Sequence, residues 1–190
     1  MGNSLDILTL IPAKLDSKRL TKKNIRDLHG KPLFLHSIDY AKNTIYENRI
    51  IVSSESKEVE ELVPEDILFH QRSKDLCGDV EVVDVYFDII KGIKHEFDYV
   101  VCLQPDNPNR SNSLDDCLNY MIENNYDDLI TINNDYKRSG SVRIFKWKDL
   151  KSGQVSKRMG CIRDRATDIH YREDLLKIRD EVFKGIIGHE

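Results

Sequence analysis

Short apolar runs alternate along the chain with longer stretches in which apolar residues recur at helical spacing. Ile7-Leu8-Thr9-Leu10-Ile11-Pro12, Arg49-Ile50-Ile51-Val52-Ser53, Asp98-Tyr99-Val100-Val101-Cys102-Leu103, Asp128-Leu129-Ile130-Thr131-Ile132 and Val142-Arg143-Ile144-Phe145 are rich in β-branched and apolar side chains and predict strands. Helices are predicted over Pro32 to Asn43, over Asp79 to Lys94, and from Ser113 onward. Pro32 suits a first-turn position, where its missing N–H costs nothing. The Ser113 helix is the clearest: Asp116 follows three residues on as in a capping box, and Leu114, Cys117, Leu118, Met121 and Ile122 form one apolar stripe. This alternation predicts an α/β fold with a mostly parallel central sheet covered by helices on both faces. No repeat, low-complexity tract or linker divides the chain, so residues 1–190 read as one domain.

Composition narrows the classes. Charged residues make up 33% of the 190 residues, and mean hydropathy is -0.51. No apolar run approaches the roughly 18 residues of a membrane span, and the N-terminus has no signal-peptide profile. The expectation is a cytoplasmic protein without a membrane partner. Because the net charge is -4, the basic residues near the N-terminus are a local cluster, which argues against broad nucleic-acid binding. Cys77, Cys102, Cys117 and Cys161 are widely spaced and read as reduced packing thiols.

In parallel sheets, ligands bind beyond the carboxyl ends of the strands. Here those ends are polar. After the first strand come Lys14, Ser17, Lys18, Arg19, Lys22, Lys23 and Asn24, a set able to neutralise a polyphosphate, with loop N–H groups forming an anion-binding concavity. The loop lacks the Gly-x-x-x-x-Gly-Lys-Ser/Thr pattern of a Walker A motif. Ser53-Ser54-Glu55-Ser56 follows a second strand, and Gln104-Pro105-Asp106-Asn107-Pro108-Asn109-Arg110 a later one. Taken singly, Ser54 and Ser56 also read as helix caps, and Gln104 to Arg110 as a Pro-rich turn. Three polar strand ends on one edge fit a single nucleotide-sized pocket.

With these segments in hand, the chain resembles the cytidylyltransferases that activate sialic-acid-type and ketodeoxyoctonate-type sugars as CMP conjugates. Ile11-Pro12-Ala13-Lys14-x-x-Ser17-Lys18-x-x-x-x-Lys23-Asn24 is similar to the acylneuraminate enzymes' Ile-Pro-Ala-Arg-x-x-Ser-Lys-x-x-x-x-Lys-Asn, and Gly30-Lys31-Pro32-Leu33 continues the match. Val52-Ser53-Ser54-Glu55-Ser56 resembles Val-Ser-Thr-Asp-Ser. Arg72, followed by Leu76 and Asp79, resembles a motif whose arginine contacts the nucleotide. Leu103-Gln104-Pro105-x-x-Pro108-x-Arg110 is similar to Leu-Gln-Pro-Thr-Ser-Pro-Leu-Arg, and Asp168-Ile169-His170-Tyr171-Arg172-Glu173-Asp174-Leu175 to Asp-Ile-Asp-Thr-x-Glu-Asp-Leu. The matches run in family order over most of the chain.

The resemblance implies a Rossmann-like nucleotide-diphospho-sugar transferase fold and a metal-dependent attack of a sugar acid's anomeric hydroxyl on the α-phosphate of CTP. Pyrophosphate would leave. It implies Lys18, Lys23 and Asp168 as catalytic residues, and Pro12, Ala13, Lys14, Ser17, Asn24 and Arg72 at the nucleotide. Gln104, Asp106 and Arg110 would lie on the acceptor side. A homodimer is compatible with the family. Three departures bear on this. Lys14 stands where the family has Arg, keeping the charge but not the bidentate fork. His170 replaces the second aspartate of an Asp-x-Asp pair, so the cation site is either a magnesium site of Asp106 and Asp168 or a site including His170 that suits manganese. As an alternative, His170 is simply a helix-start residue. Finally, Asn133-Asn134-Asp135-Tyr136-Lys137 leads almost at once into Arg138-Ser139-Gly140-Ser141-Val142, where the family has a few dozen more residues that shape the acceptor pocket and the dimer. The nucleotide half is retained and the sugar half cut down. Two further readings therefore stand beside the first: a nucleotidyltransferase for another small anionic acceptor such as a sugar phosphate or phosphonate, and a catalytically weakened nucleotide-binding protein.

Overall fold

Strand β1 (Asp6–Pro12) is buried on both faces. The structure, a computed structural model, describes residues 5–154 and 156–187, with side chains described to residue 181. In chain order the elements after β1 are β2 (Asp27–Leu28), β3 (Lys31–Pro32), α1 (Leu35–Lys42), β4 (Glu47–Ser54), α2 (Lys57–Glu60) and β5 (Leu68–Gln71). Then come α3 (Val82–Lys91), β6 (Tyr99–Cys102), α4 (Leu114–Glu123), β7 (Asp128–Ile132), β8 (Arg138–Lys146), α5 (Trp147–Ser152), β9 (Met159–Arg163) and α6 (Arg172–Ile187). The main sheet runs β5-β4-β1-β6-β8-β7-β9. Pairings β4–β5, β1–β4, β1–β6 and β7–β9 are parallel, whereas β8 runs antiparallel to both β6 and β7.

The alternation of β1 builds two cores. Ile7 and Ile11 join Val101, Leu103 and the apolar residues of α1 and α4 on one face. Leu8 and Leu10 join Val100, Cys102, Trp147 and α3 on the other. Each of these fully buried β1 side chains contributes about 1.5–3 kcal/mol of transfer free energy. Thr9, also buried, is satisfied by donating to Asn48 Oδ1 at 2.9 Å. The Ser113 capping box forms as expected, its hydroxyl accepting from Asp116 N and the Asp116 carboxylate accepting from Ser113 N. Ile122 is the exception in that helix's stripe, lying 38% exposed.

Two expected helices begin later than their patterns suggest. The third α-helix starts at Val82, not at Asp79. Pro32 is not in a first helical turn: it pairs with Asp27 across a small hairpin, and α1 starts at Leu35. That hairpin turns on His29 and Gly30, both at positive φ, the geometry of a two-residue primed turn. It folds the chain back so that Leu33 N donates to Arg26 O and Phe34 N to Asn24 O, at 2.9 Å each. Strands β5 and β9, at the two sheet edges, are unheralded by apolar runs: they are short, and His70 and Gln71 in one and Gly160 and Arg163 in the other interrupt any β-branched pattern.

Cys102 and Cys117 pack inside, as packing thiols should, and Cys161 is exposed.

Beyond β9, residues 164–169 run as a strap along residues 106–111, tying the end of the last strand to the loop after β6. Asp164 N donates to Ile132 O, Arg165 N to Ser111 Oγ, Thr167 N to Asn109 Oδ1 and Ile169 N to Asp106 O, at 2.8–3.0 Å. Asp164 is buried, and its carboxylate accepts from Ser111 N at 2.8 Å, Ser111 Oγ at 2.7 Å and Ser141 Oγ. Asp164→Ala strands these buried donors, so we expect a loss of about 3 kcal/mol. That corresponds to a melting midpoint lower by about 6–12 °C for a chain of this size, read by thermal denaturation. A midpoint within about 2 °C of the wild type contradicts this account of the strap.

Candidate active site

A cleft of about 180 Å³ opens at the carboxyl ends of β1, β5 and β6, and the Ser53–Ser56 segment expected to share it does not line it. The loop after β1 begins it. Pro12, Lys14 and Ser17 face the cleft, while Ala13 is fully buried behind them, its N–H donating to Ser53 O at 2.8 Å. A 3-10 turn at Lys23–Ile25, held by the small hairpin, brings Lys23 and Asn24 back against the same opening. Asn24 donates through Nδ2 to Lys14 O at 2.8 Å, tying the two ends of the loop, and its buried Oδ1 accepts no hydrogen bond.

Arg72 enters from the end of β5. Its Nη2 donates to Ser53 O at 2.9 Å, and Nη1 lies 3.9 Å from Glu55 Oε2. Burial lowers the Arg72 guanidinium below its usual range, and the Glu55 carboxylate opposes that shift. Val80, Val82 and Val85 give the cleft an apolar wall suited to the flat face of a ring.

The third edge is carboxylate-rich. Lys23 Nζ lies 2.5 Å from Asp106 Oδ2 and donates to Ile169 O at 2.8 Å. The strap thereby brings Asp168 beside Asp106. Burial and the neighbouring Asp106 charge raise the Asp168 carboxyl above its ordinary value, against the pull of His170, Lys23 and Arg19. Asp106 Oδ1 and Asp168 Oδ1 are both buried and accept no hydrogen bond from the described residues. His170 turns Nε2 to Asp168 Oδ2 at 3.0 Å, and its backbone N–H donates to Asp174 Oδ2 at 2.9 Å at the start of α6. Among the described residues, no group of three or more His, Cys, Asp or Glu is arranged to hold a metal ion. The oxygen donors come as the pair Asp106 and Asp168, with His170 engaged by the second of them.

The expected residues thus divide. Lys14, Ser17, Lys23, Asn24, Arg72, Gln104, Asp106 and Pro12 line one cleft. Lys18 does not: its ammonium pairs with the exposed Asp79 across the mouth, and Lys14 Nζ reaches Gly78 O beside it at 3.3 Å. Arg110 lies beneath the cleft floor, where it donates to Ser141 O at 2.9 Å and Gln104 O at 2.7 Å and stacks over the Tyr40 ring. It holds the backbone that carries Gln104. Ser56 caps α2 by accepting from Glu58 N, as the capping reading has it, whereas Ser54, the last residue of β4, accepts from Ser56 N in a local turn ahead of the helix.

Two contributors carry no motif in the sequence. The valine wall is hidden because its residues read as the start of a helix. Gly140 is hidden because its role lies in what it lacks: at φ +73°, an added Cβ would sit 2.7 Å from Gln104 Nε2. Between β7 and β8, where the sequence lacks the long segment of the family pattern, the strands are joined by a tight turn. Asn133 N donates to Lys137 O at 2.8 Å, and Asn133 Oδ1 accepts from Asp135 N and Lys137 N.

Comparison with known proteins gives the same outline. A family model described as cytidylyltransferase matches residues 8–179. The chain is 36% identical over 110 residues to the CMP-N,N'-diacetyllegionaminic acid synthase of Legionella pneumophila, covering 55% of this chain and 47% of that protein. It is 31% identical over 102 residues to a pseudaminic acid cytidylyltransferase of Campylobacter jejuni, covering 50% of this chain and 44% of that protein. The chain spans about half the length of these curated relatives. The solved structure of a CMP:2-keto-3-deoxy-manno-octonic acid synthetase complexed with CTP superposes with a TM-score of 0.73, covering 95% of this chain and 99% of that one at 14% identity. The mostly parallel, two-faced α/β architecture expected from the strand pattern is therefore the architecture of that synthetase.

Gly140→Ala is expected to drive the Gln104 carboxamide off its present seat and to cost about 1–2 kcal/mol for a side chain in left-handed backbone. A crystal structure of the variant reads the first effect and thermal denaturation the second. An unmoved Gln104 contradicts the close approach.

Proposed function

The chain belongs to the cytidylyltransferase family, and on that premise we propose that it transfers CMP from CTP to a 2-keto sugar acid with release of pyrophosphate. The observation that carries the proposal is the pair of buried carboxylate oxygens, Asp106 Oδ1 and Asp168 Oδ1, left without partners beside the Lys23 ammonium. A buried acceptor without a partner costs about 1–3 kcal/mol, and hard divalent cations take carboxylate oxygens. The two residues fit such an ion. Asp106 and Asp168 would hold magnesium, or manganese if His170 leaves Asp168 to join them. When bound, the ion supplies charge neutralisation at the phosphate oxygens and the departing diphosphate.

The chain's own residues do the rest by placement. Lys14 and Lys23 present ammonium groups to the triphosphate, and Lys18 joins them by exchanging Asp79 for phosphate. Asn24 Oδ1 and Arg72 hold the nucleoside against the valine wall. Gln104 aims the acceptor hydroxyl at the α-phosphate. As the new O–P bond forms, the hydroxyl's proton passes to solvent, the bond from the α-phosphorus to the α,β-bridging oxygen breaks, and pyrophosphate leaves with that electron pair. Positioning and charge, without a covalent intermediate, supply the barrier reduction in transfers of this kind.

The sugar-acid class is supported by the legionaminic and pseudaminic acids in the names of the two curated relatives. A second reading rests on the Asn133–Lys137 turn, which leaves the acceptor side of the cleft short: the same transfer to another small anionic acceptor, a sugar phosphate or phosphonate.

The test is pyrophosphate release from each common nucleoside triphosphate, with magnesium or manganese, across 2-keto sugar acids, sugar phosphates and phosphonates. Release with CTP and a sugar acid is expected. Release only with a phosphate or phosphonate moves the assignment to the second reading, and CTP binding with no release from any acceptor identifies a nucleotide binder. Asp168→Asn should shift the metal titration of activity at least about tenfold to higher concentration, in the range set by loss of one charged ligand. An unmoved titration removes Asp168 from the cation site.

A further inference from the structure

Glu55 stands one residue beyond the end of β4, between two parts of the cleft that the chain brings from different places. Its Oε1 accepts from the backbone N–H of Leu15 at 2.7 Å and of Asp16 at 3.4 Å. Its Oε2 lies 3.9 Å from Arg72 Nη1, is buried, and accepts no hydrogen bond. One carboxylate therefore touches both the loop after β1 and the buried guanidinium from β5.

The contact changes what the loop can offer a ligand. Backbone N–H groups of a loop after a strand are natural phosphate donors. Here the Ala13 N–H is spent on Ser53 O, and those of Leu15 and Asp16 on Glu55. A carboxylate accepting from backbone N–H groups makes charge-assisted bonds, stronger than amide–carbonyl ones. Three of the loop's N–H groups thus hold it in place, and Lys14 and Ser17 between and beyond them are left to meet an anion. Arg72 is already fixed by Ser53 O at 2.9 Å, so Glu55 contributes charge there and placement at the loop.

We propose that Glu55 is a positioning residue for the nucleotide: it clamps Leu15 and Asp16 against the end of β4, so that the flanking Lys14 and Ser17 face the triphosphate. The inference rests on the CTP reading above. Aspartate is one methylene too short to keep both contacts, glutamine keeps the accepting oxygen without the charge, and alanine removes both.

Two measurements separate this clamp from a merely structural glutamate and from the CTP reading itself. The first is hydrogen exchange at the Leu15 and Asp16 amides, without nucleotide. It should be slow in the wild type and Glu55→Gln and at least about tenfold faster in Glu55→Ala, the factor for losing one bond of about 1.4 kcal/mol. The second is CTP binding by calorimetry together with acceptor KM. Glu55→Ala should weaken CTP binding about tenfold, as for one charge-assisted bond, with acceptor KM unchanged and Glu55→Gln restoring most of the loss. Should Glu55→Ala fail to fold, Glu55→Asp is expected to show the same loss. Unchanged amide exchange in the folded alanine or aspartate variant overturns the clamp. So does CTP binding that is unchanged, or tightened by the freed amides. A wild type with slow amides and no CTP affinity overturns the proposed function while leaving the clamp at the loop in place.

Discussion

The ammonium group of Lys23 ties together stretches of chain separated by 83 and 146 residues, reaching Asp106 Oδ2 at 2.5 Å and Ile169 O at 2.8 Å. Both charged side chains of that pair are mostly withdrawn from water, 12% and 16% exposed. A pair so placed is stabilised only where further hydrogen bonds offset the loss of solvation. The second bond, to Ile169 O, does so and also decides where Asp168 stands. Around this tie a small apolar core of Leu20, Leu28, Leu33, Ile169, Leu175 and Ile178 seals the underside. The hairpin at His29–Gly30 and the strap over 164–169 approach it from opposite directions, one delivering a cation and the other a carboxylate.

The charge plan of the cleft is set by the same tie. The chain is acidic overall, with a net charge of -4, and six of its 29 lysines and arginines fall on the loop from Lys14 to Arg26. Carboxylates oppose that loop on several sides: Glu55 beneath it, Asp79 at the mouth, Asp106 and Asp168 at the far edge. On the proposed function, an incoming polyphosphate exchanges partners with carboxylates already present, instead of meeting bare positive charge. Such a site favours ligands that carry their own cation, because the two orphaned oxygens at Asp106 and Asp168 then gain a partner at the same moment.

The β-branched runs announce β1, β4, β6 and β7 well, because interior strands of a parallel sheet are apolar on both faces and cannot be mistaken for loops. Ser113 and Asp116 announce α4 through capping chemistry that is purely local. Edge strands β5 and β9 are silent, since half-exposed strands of mixed polarity carry no such signature. Pro32 misleads because the same fixed φ serves a helix start and a hairpin arm. Within the cleft, Pro12, Lys14, Arg72, Gln104 and Asp106 converge because they sit at or just past strand ends, where direction is set by the sheet, and Lys23 and Asn24 because the hairpin folds them back. Lys18 and Arg110 do not, and the reason is reach. A long cationic side chain can satisfy itself on Asp79, or on Ser141 O and Gln104 O, and spacing along the sequence does not record which way it turns. Glu55 and Gly140 act through backbone contact and absent volume, two properties that a motif of side chains does not express.

The Asn133–Lys137 turn joins two adjacent antiparallel strands, whose facing Cα atoms lie about 4.5–5.5 Å apart. Any folded insert whose own ends meet at that spacing can replace the turn without altering the sheet order or crossing another connection. In engineering terms the position is a port. A module grafted there would project beside Gly140 and Gln104, the side that the proposed function gives to the acceptor, while the walls formed by Arg72 and the valines stayed as they are. The chain is in that sense a minimal chassis, in which recognition of one substrate can be exchanged with the machinery for the other held constant.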